Sequence, residues 1–340
     1  MKLRLEPQDE YMHPLEEAKN FNESMYFNVY DSQSKVGGFF RLGNRANEGY
    51  AEMTTCLYLP DGRVAFMYQR PSIKDNDSFN AGGMKFEVVE PFKALKVSYK
   101  GKVVTLDNPL DMAEPRKAFK ENPWTDCEVT LDYSGLSPMY GGEPESEAGE
   151  RLVEPNPDEG GFARGHYEQH VAAKGTIKVG DQSWEISGHG LRDHSWGPRF
   201  WQSPWWYRWL TINFGDDFGG MVTIVTSRDG SQRIGGMIFQ EGRYDLIKEA
   251  TIETTWTGGD MYHEAMVARV KTEKGEDFEI TGKVLNLIPL RNRRKDEKGE
   301  DLMTRISEGL TEFRCRDKVG YGWSEYLDQI VDNRPVGAAS

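Results

Sequence analysis

Short runs of β-branched and aromatic residues, parted by Gly, Asp and Pro turns about every ten residues, recur from Met25 to Tyr326. Such a chain is confined to an all-β sandwich or barrel architecture. Met25 to Tyr30 and Gly37 to Leu42 open the series. Ala51 to Leu59 and Val64 to Tyr68 flank Pro60-Asp61-Gly62, a turn whose residues favour a hairpin. Cys127 to Tyr133 alternates with a period of two, as a half-buried strand must. Trp184 to Gly190, Arg208 to Phe214, Gly220 to Thr226, Glu264 to Thr272 and Gly322 to Tyr326 continue the pattern. Helical stretches are few. Pro14 to Asn20 offers a turn or two, and Asp111 to Lys120 another, capped by Asp111.

A chain of 340 residues is too long for one ordinary core. The strand series divides into an N-terminal domain over 1–198 and a C-terminal domain over 199–340. The formal net charge of -13 disfavours nucleic acid and anionic membranes as partners. Cys56, Cys127 and Cys315 are odd in number and far apart, so neither a disulfide framework nor a zinc spacing is expected. No apolar signal core opens the chain and no run has the length of a membrane helix, which makes the cytoplasm the expected location. Residues 141–160 carry seven acidic residues, three prolines and four glycines and read as a long loop, either a lid or a plain insertion. The basic group Arg291, Arg293, Arg294 and Lys295 is followed at once by acidic residues and reads as a solvated hairpin tip.

One segment concentrates chemistry. His166, His170, His189 and His194 are four of the six histidines, and Trp196, Trp201, Trp205, Trp206 and Trp209 are five of the nine tryptophans. On an extended backbone His189, Leu191, Asp193 and Ser195 share one face, and Arg192, His194 and Trp196 share the other. A carboxylate beside an imidazole is a common route to acid–base chemistry near neutral pH. Asp193 and His194 are therefore the candidate catalytic residues. Trp196, Arg192, Arg199, His189, Trp206 and Tyr207 are the candidate substrate contacts. A structural reading is open as well: Arg192 and Asp193 can form an ion pair, and the tryptophans can be core. His166 and His170 at i, i+4 would suit a metal on a helix, but on a strand they lie roughly 13 Å apart. No metal site is expected, and no nucleotide or dinucleotide fingerprint is present.

The string Asp193-His194-Ser195-Trp196-Gly197, with Phe39 to Arg45, Tyr58 to Gly62 and Gly322 to Tyr326, resembles the hydroxyneurosporene synthase (carotenoid 1,2-hydratase) and AttH-like superfamily. That fold is shared with kievitone hydratase-like proteins and some natural-product Diels-Alderases. The resemblance implies two tandem lipocalin-like antiparallel β-barrel or sandwich domains with few short helices. It also implies an apolar, unsaturated ligand and no cofactor, and it carries the family's active positions onto Asp193, His194 and Trp196.

The leading expectation is a cofactor-free lyase or isomerase of hydratase or dehydratase type, acting on an apolar unsaturated or aromatic small molecule. Asp193 would be the general acid, its pKa raised by burial, and His194 would position water or relay the proton. Trp196, Trp206 and Tyr207 would line the pocket, His189 would lie beside them, and Arg192 or Arg199 would hold a substrate oxygen. A non-catalytic carrier of a hydrophobic small molecule is the alternative, and a docking protein using residues 141–160 a third. A homodimer is compatible with either.

Overall fold

Along Trp124–Gly135, Cys127, Val129, Leu131 and Tyr133 are buried while Glu128, Thr130 and Asp132 between them face solvent. The same period of two runs through most of the chain and sets the architecture. The computed structural model describes residues 2–149, 163–295, 299 and 301–338. By contacts the chain forms two compact units, Met1–Asp107 with Asn122–Phe200, and Asn108–Glu121 with Trp201–Ser340.

The first unit holds β1 (Lys2–Arg4), β2 (Phe21–Asp31), β3 (Val36–Arg45), β4 (Tyr50–Tyr58), β5 (Val64–Gln69), β6 (Asn80–Ala81), β7 (Met84–Glu90), β8 (Ala94–Leu106), β9 (Trp124–Gly135), β10 (Tyr140–Glu145), β11 (Gly165–Val179) and β12 (Gln182–Pro198). Strands β2, β3, β4, β5, β8, β9, β11 and β12 pair in that order, and β12 pairs back onto β2, so the antiparallel sheet closes on itself. Its interior is filled by Met25, Phe27, Phe40, Leu42, Val97, Leu131, Val171 and their neighbours. The second unit holds β13 (Trp206–Asn213), β14 (Phe218–Thr226), β15 (Gln232–Gln240), β16 (Arg243–Thr257), β17 (Tyr262–Thr272), β18 (Asp277–Lys295), β19 (Asp301–Cys315), β20 (Lys318–Val331) and β21 (Arg334–Pro335). Here β13 to β20 meander in sequence order and β13 closes on β20. Leu210, Ile212, Val222, Ala268, Phe313 and Tyr326 lie in its core. Two closed antiparallel barrels of this kind are lipocalin-like, and closure leaves the barrel strands no open edge.

The structure corrects several local expectations. Residues 14–20 form no helix; a 3-10 turn lies earlier, at Pro7–Glu10. The segment expected to be helical from Asp111 begins as a 3-10 turn at Pro109–Ala113 capped by Asn108, and a helix, α1, spans Pro115–Glu121. Pro109 and Pro115 each start a new turn because proline suits a helix's first position and disrupts its interior. Part of the acidic segment is strand: β10 pairs with β1 and β11. Gly141 and Gly142 make this feasible, with φ of 111° and 144° and no Cβ to strike the carbonyls of His166 and Arg4. Residues 150–160 of that segment lie outside the described residues, as do 296–298 and 300 beyond the paired ends Lys295 and Asp301. All three cysteines are buried and free. Among the described residues no helix is long and apolar enough to cross a membrane.

Strand β12 lies so close to β2 that a Cβ on Gly190 would sit 1.9 Å from the Asn28 carbonyl oxygen. Backbone would have to move to admit it. Gly190→Ala is expected to lose roughly 2–3 kcal/mol in urea denaturation, whereas Gly242→Ala, with open space around it, tests only the cost of a positive φ.

Candidate functional site

Strand β12 presents two chemically different faces because consecutive side chains on a strand point oppositely. Arg192, His194 and Trp196 enter the first barrel; Asp193 and Ser195 turn outward. Pairing with β2 sets His194 beside Met25 and Trp196 beside Glu23. Pairing with β11 sets Arg192 beside Gln169, His194 beside Tyr167, and Asp193 beside Glu168.

The inward groups form one connected network. Arg192 donates two hydrogen bonds to Glu10, of 2.6 and 2.8 Å, and a third to Gln169 Oε1 at 2.9 Å. The Tyr167 hydroxyl donates to Glu10 Oε1 at 2.6 Å and lies 3.1 Å from His194 Nδ1. His194 Nε2 is 2.7 Å from Glu23 Oε1, and His13 Nδ1 is 2.8 Å from the same oxygen. The backbone N–H of His13 and the Asn76 amide both donate to Glu23 Oε2. His13 stacks on Trp196 with centroids 3.9 Å apart. Glu10, Glu23, Arg192 and His194 have fully buried side chains. Burial alone would raise the pKa of Glu23, but hydrogen bonds and charge from His13 and His194 overcome it and hold the carboxyl at about 2. Glu10 is lowered likewise, burial being outweighed by the Arg192 guanidinium.

The outward groups form a second, more open cluster. His166 Nε2 lies 2.9 Å from Asp193 Oδ2 and 3.6 Å from Glu168 Oε1. The imidazole is 41% exposed and the Asp193 side chain 19%, so both meet solvent. Burial pulls the His166 pKa down, yet Glu168 and then Asp193 more than offset it and leave the imidazole above its ordinary 6.5. Arg199 donates to Ser195 Oγ at 2.7 Å and to Ser24 Oγ at 3.4 Å, and the two hydroxyls are 3.1 Å apart. Arg199 is also near enough to His166 for its charge to oppose protonation there.

The structure therefore separates the residues singled out in the sequence. Asp193 and Arg199 lie on the outward cluster, and His189 is half-buried on the same face of β12. His194, Arg192 and Trp196 lie in the interior, where Arg192 holds a carboxylate of the protein itself. Trp206 and Tyr207 are buried in the second unit: the Trp206 ring faces the Arg208 guanidinium, and the Tyr207 hydroxyl donates to Glu325. Sequence reasoning missed Glu10, His13, Glu23 and Glu168 as functional candidates, and passed over His166. The signal that finds them is strand register, since Glu23 and His166 face Trp196 and Ser195 only once β12 is paired on both sides.

A cleft of about 390 Å³ opens beside the interior network, lined by Arg4, His13, Leu15, Glu16, Glu143 and Trp196 among others.

The profile of one family, described as Domain of unknown function (DUF7064), matches residues 6–330. No curated protein matches the chain. Among solved structures it is similar to a protein assigned as AttH from Nitrosomonas europaea, at 13% identity over 96% of both chains with a TM-score of 0.55. It is similar to CghA solved with Sch210972, at 11% identity over 91% of this chain and 88% of that one, TM-score 0.53. It is similar also to kievitone hydratase from Nectria haematococca, at 9% identity over 89% and 87%, TM-score 0.51. At these identities the likeness is one of fold.

Proposed function

The chain belongs to the family described as Domain of unknown function (DUF7064), and since that description names no reaction, we propose from the site itself that the protein is a lyase of the hydratase or dehydratase type. Its substrate is an unsaturated or aromatic small molecule carrying an oxygen. The observation that carries this reading is the solvent-exposed imidazole of His166 hydrogen-bonded to Asp193 at 2.9 Å. Adding water to a double bond needs a proton delivered to carbon and a proton taken from the water, and one imidazole serves both in turn, giving its proton and then recovering one from the water that adds. The carboxylates of Glu168 and Asp193 raise the His166 pKa against burial and so favour the protonated ring that gives the proton. Asp193 orients the ring and stabilises its protonated form, and Glu168 strengthens the effect. Arg199, whose charge reaches His166, favours negative charge building on a substrate oxygen as the proton moves. His194 works from behind as a positioning residue, fixing β12 through Glu23. That a protein sharing the fold is named a hydratase agrees with this reading.

The test is a panel of terpenoids, unsaturated ketones and phenylpropanoids, with products weighed for the gain or loss of one water. His166→Ala and Asp193→Asn are each expected to lower kcat by roughly 10²–10⁴-fold. In the hydration direction kcat should fall as pH rises through a pKa above 6.5, because the protonated imidazole is the donor. Turnover retained in both variants contradicts the assignment. A carrier reading draws on the cleft beside Trp196, whose volume suits a small ligand. Equal binding by wild type and His166→Ala, with no change in the ligand, would favour it.

A further inference from the structure

The hydrogen bonds of the interior network call for a positive charge between His194 and Glu23. Tyr167 has a single hydroxyl proton, and the 2.6 Å contact to the ionised Glu10 claims it. Toward His194 Nδ1, at 3.1 Å, the Tyr167 oxygen can then only accept, so Nδ1 carries a hydrogen. The other ring nitrogen, Nε2, lies 2.7 Å from the ionised Glu23 Oε1. A neutral imidazole with its hydrogen on Nδ1 would aim a lone pair at a carboxylate oxygen there. A cation must stand between them, either a second proton or a metal ion.

Two observations favour the metal. First, His13 Nδ1 converges on the same Glu23 oxygen, so two imidazole nitrogens and one carboxylate meet with all three ligand atoms within 4.8 Å of one another. Two histidines and a glutamate are a zinc-type donor set. The contacts of 2.7 and 2.8 Å are hydrogen-bond lengths; seating an ion with bonds of about 2.0–2.1 Å would open them by roughly half an ångström. Second, two of the three ligands are held from behind by hydrogen bonds, while His13 Nε2 makes none and has only an ion-pair contact to Asp9. Tyr167 fixes His194 Nδ1, Asp9 Oδ1 lies 3.4 Å from His13 Nε2, and Asn76 donates to Glu23 Oε2, the kind of support that orients metal ligands. The cleft that reaches His13 and Trp196 supplies an entry path.

We propose that His13 Nδ1, Glu23 Oε1 and His194 Nε2 bind one divalent transition-metal ion of the zinc class, which ties the N-terminal segment to the end of the first barrel. His166, Glu168 and Asp193 also bring three ligand-type atoms together, but with one imidazole to the interior site's two. That contrast supplies the control.

The experiment uses the full chain, freed of metal by a chelator and titrated with zinc, then with cobalt. Native mass spectrometry should show one zinc per chain, cobalt should give the visible bands of a low-symmetry four-coordinate site, and zinc should raise Tm. His13→Ala, at a partly exposed position, should weaken zinc binding by roughly 100-fold or more, as should Glu23→Gln. His166→Ala should bind zinc as wild type does. No zinc or cobalt uptake by the wild type overturns the proposal and leaves a proton in the gap. Uptake unchanged in His13→Ala, or lost in His166→Ala, overturns it by placing the metal elsewhere. Should Glu23→Gln fail to fold, His13→Ala decides.

Discussion

Arg192→Met is expected to cost the first unit roughly 3–5 kcal/mol of stability, enough to unfold many domains at ambient temperature. The reason is what the substitution leaves behind. Glu10 has no exposed side-chain surface, accepts both guanidinium bonds, and also takes the Tyr167 hydroxyl and the backbone N–H of Phe92. Without Arg192 its charge is buried without compensation, or it must take up a proton and weaken those bonds. Gln169 would lose its donor as well. Glu10→Leu combined with Arg192→Met removes both charges and should recover most of the loss, since replacing a whole buried pair costs far less than breaking it. Urea denaturation of the three variants checks this. A loss below about 1 kcal/mol in Arg192→Met would mean that the interior admits water or that the pair is not formed.

The second large effect is a loss of stability in acid that originates in the other unit. His263 is buried beneath Tyr326, its ring stacked 4.0 Å away, and its Nε2 meets the Ser324 carbonyl at 3.0 Å and hydroxyl at 2.9 Å. Burial first, then the charge of Arg208, hold its pKa down at about 3 against an ordinary 6.5. The unfolded chain therefore binds a proton between those values and the folded chain does not. Stability is complete above pH 6.5 and declines as the pH falls toward 3. At about 1.4 kcal/mol per pH unit, the full decline is on the order of 5 kcal/mol. His263→Gln keeps a donor without a titrating ring. Its stability should be lower than wild type at neutral pH and flatter below pH 6.5, measured by urea titration at a series of pH values with tryptophan fluorescence as the readout. Identical pH slopes in the two proteins would contradict the account.

Much of the architecture was legible because closed barrels leave their mark on every strand. The alternation in Cys127 to Tyr133, the Pro60-Asp61-Gly62 turn and the opposite faces of Asp193 and His194 all follow from a period of two. The site was legible only in part. Asp193 and His194 are adjacent in the chain and, for that reason, serve different faces; reading them as one catalytic pair required a turn that the long strand β12 does not make. Their true neighbours are far away in sequence. Glu10 is 182 residues from Arg192, and Glu23 is 171 from His194. Register brings Glu23 and Glu168 to β12, and no local pattern encodes register between distant strands. Glu10 and His13 were hidden for another reason. They lie in a polar stretch that reads as solvated, yet charged residues are buried readily when each finds its counterpart, as Glu10 does in Arg192.

The most direct test of the outward dyad needs no substrate. The His166 ring is followed by NMR while the pH is raised through neutrality, in wild type and in Asp193→Asn. The account predicts a midpoint above 6.5 in the wild type and a lower one in the variant, because Asp193 helps hold the proton on the ring. A midpoint at or below 6.5 that does not move in Asp193→Asn would show that the two side chains do not act together, and the assignment of the proton donor would fall with it.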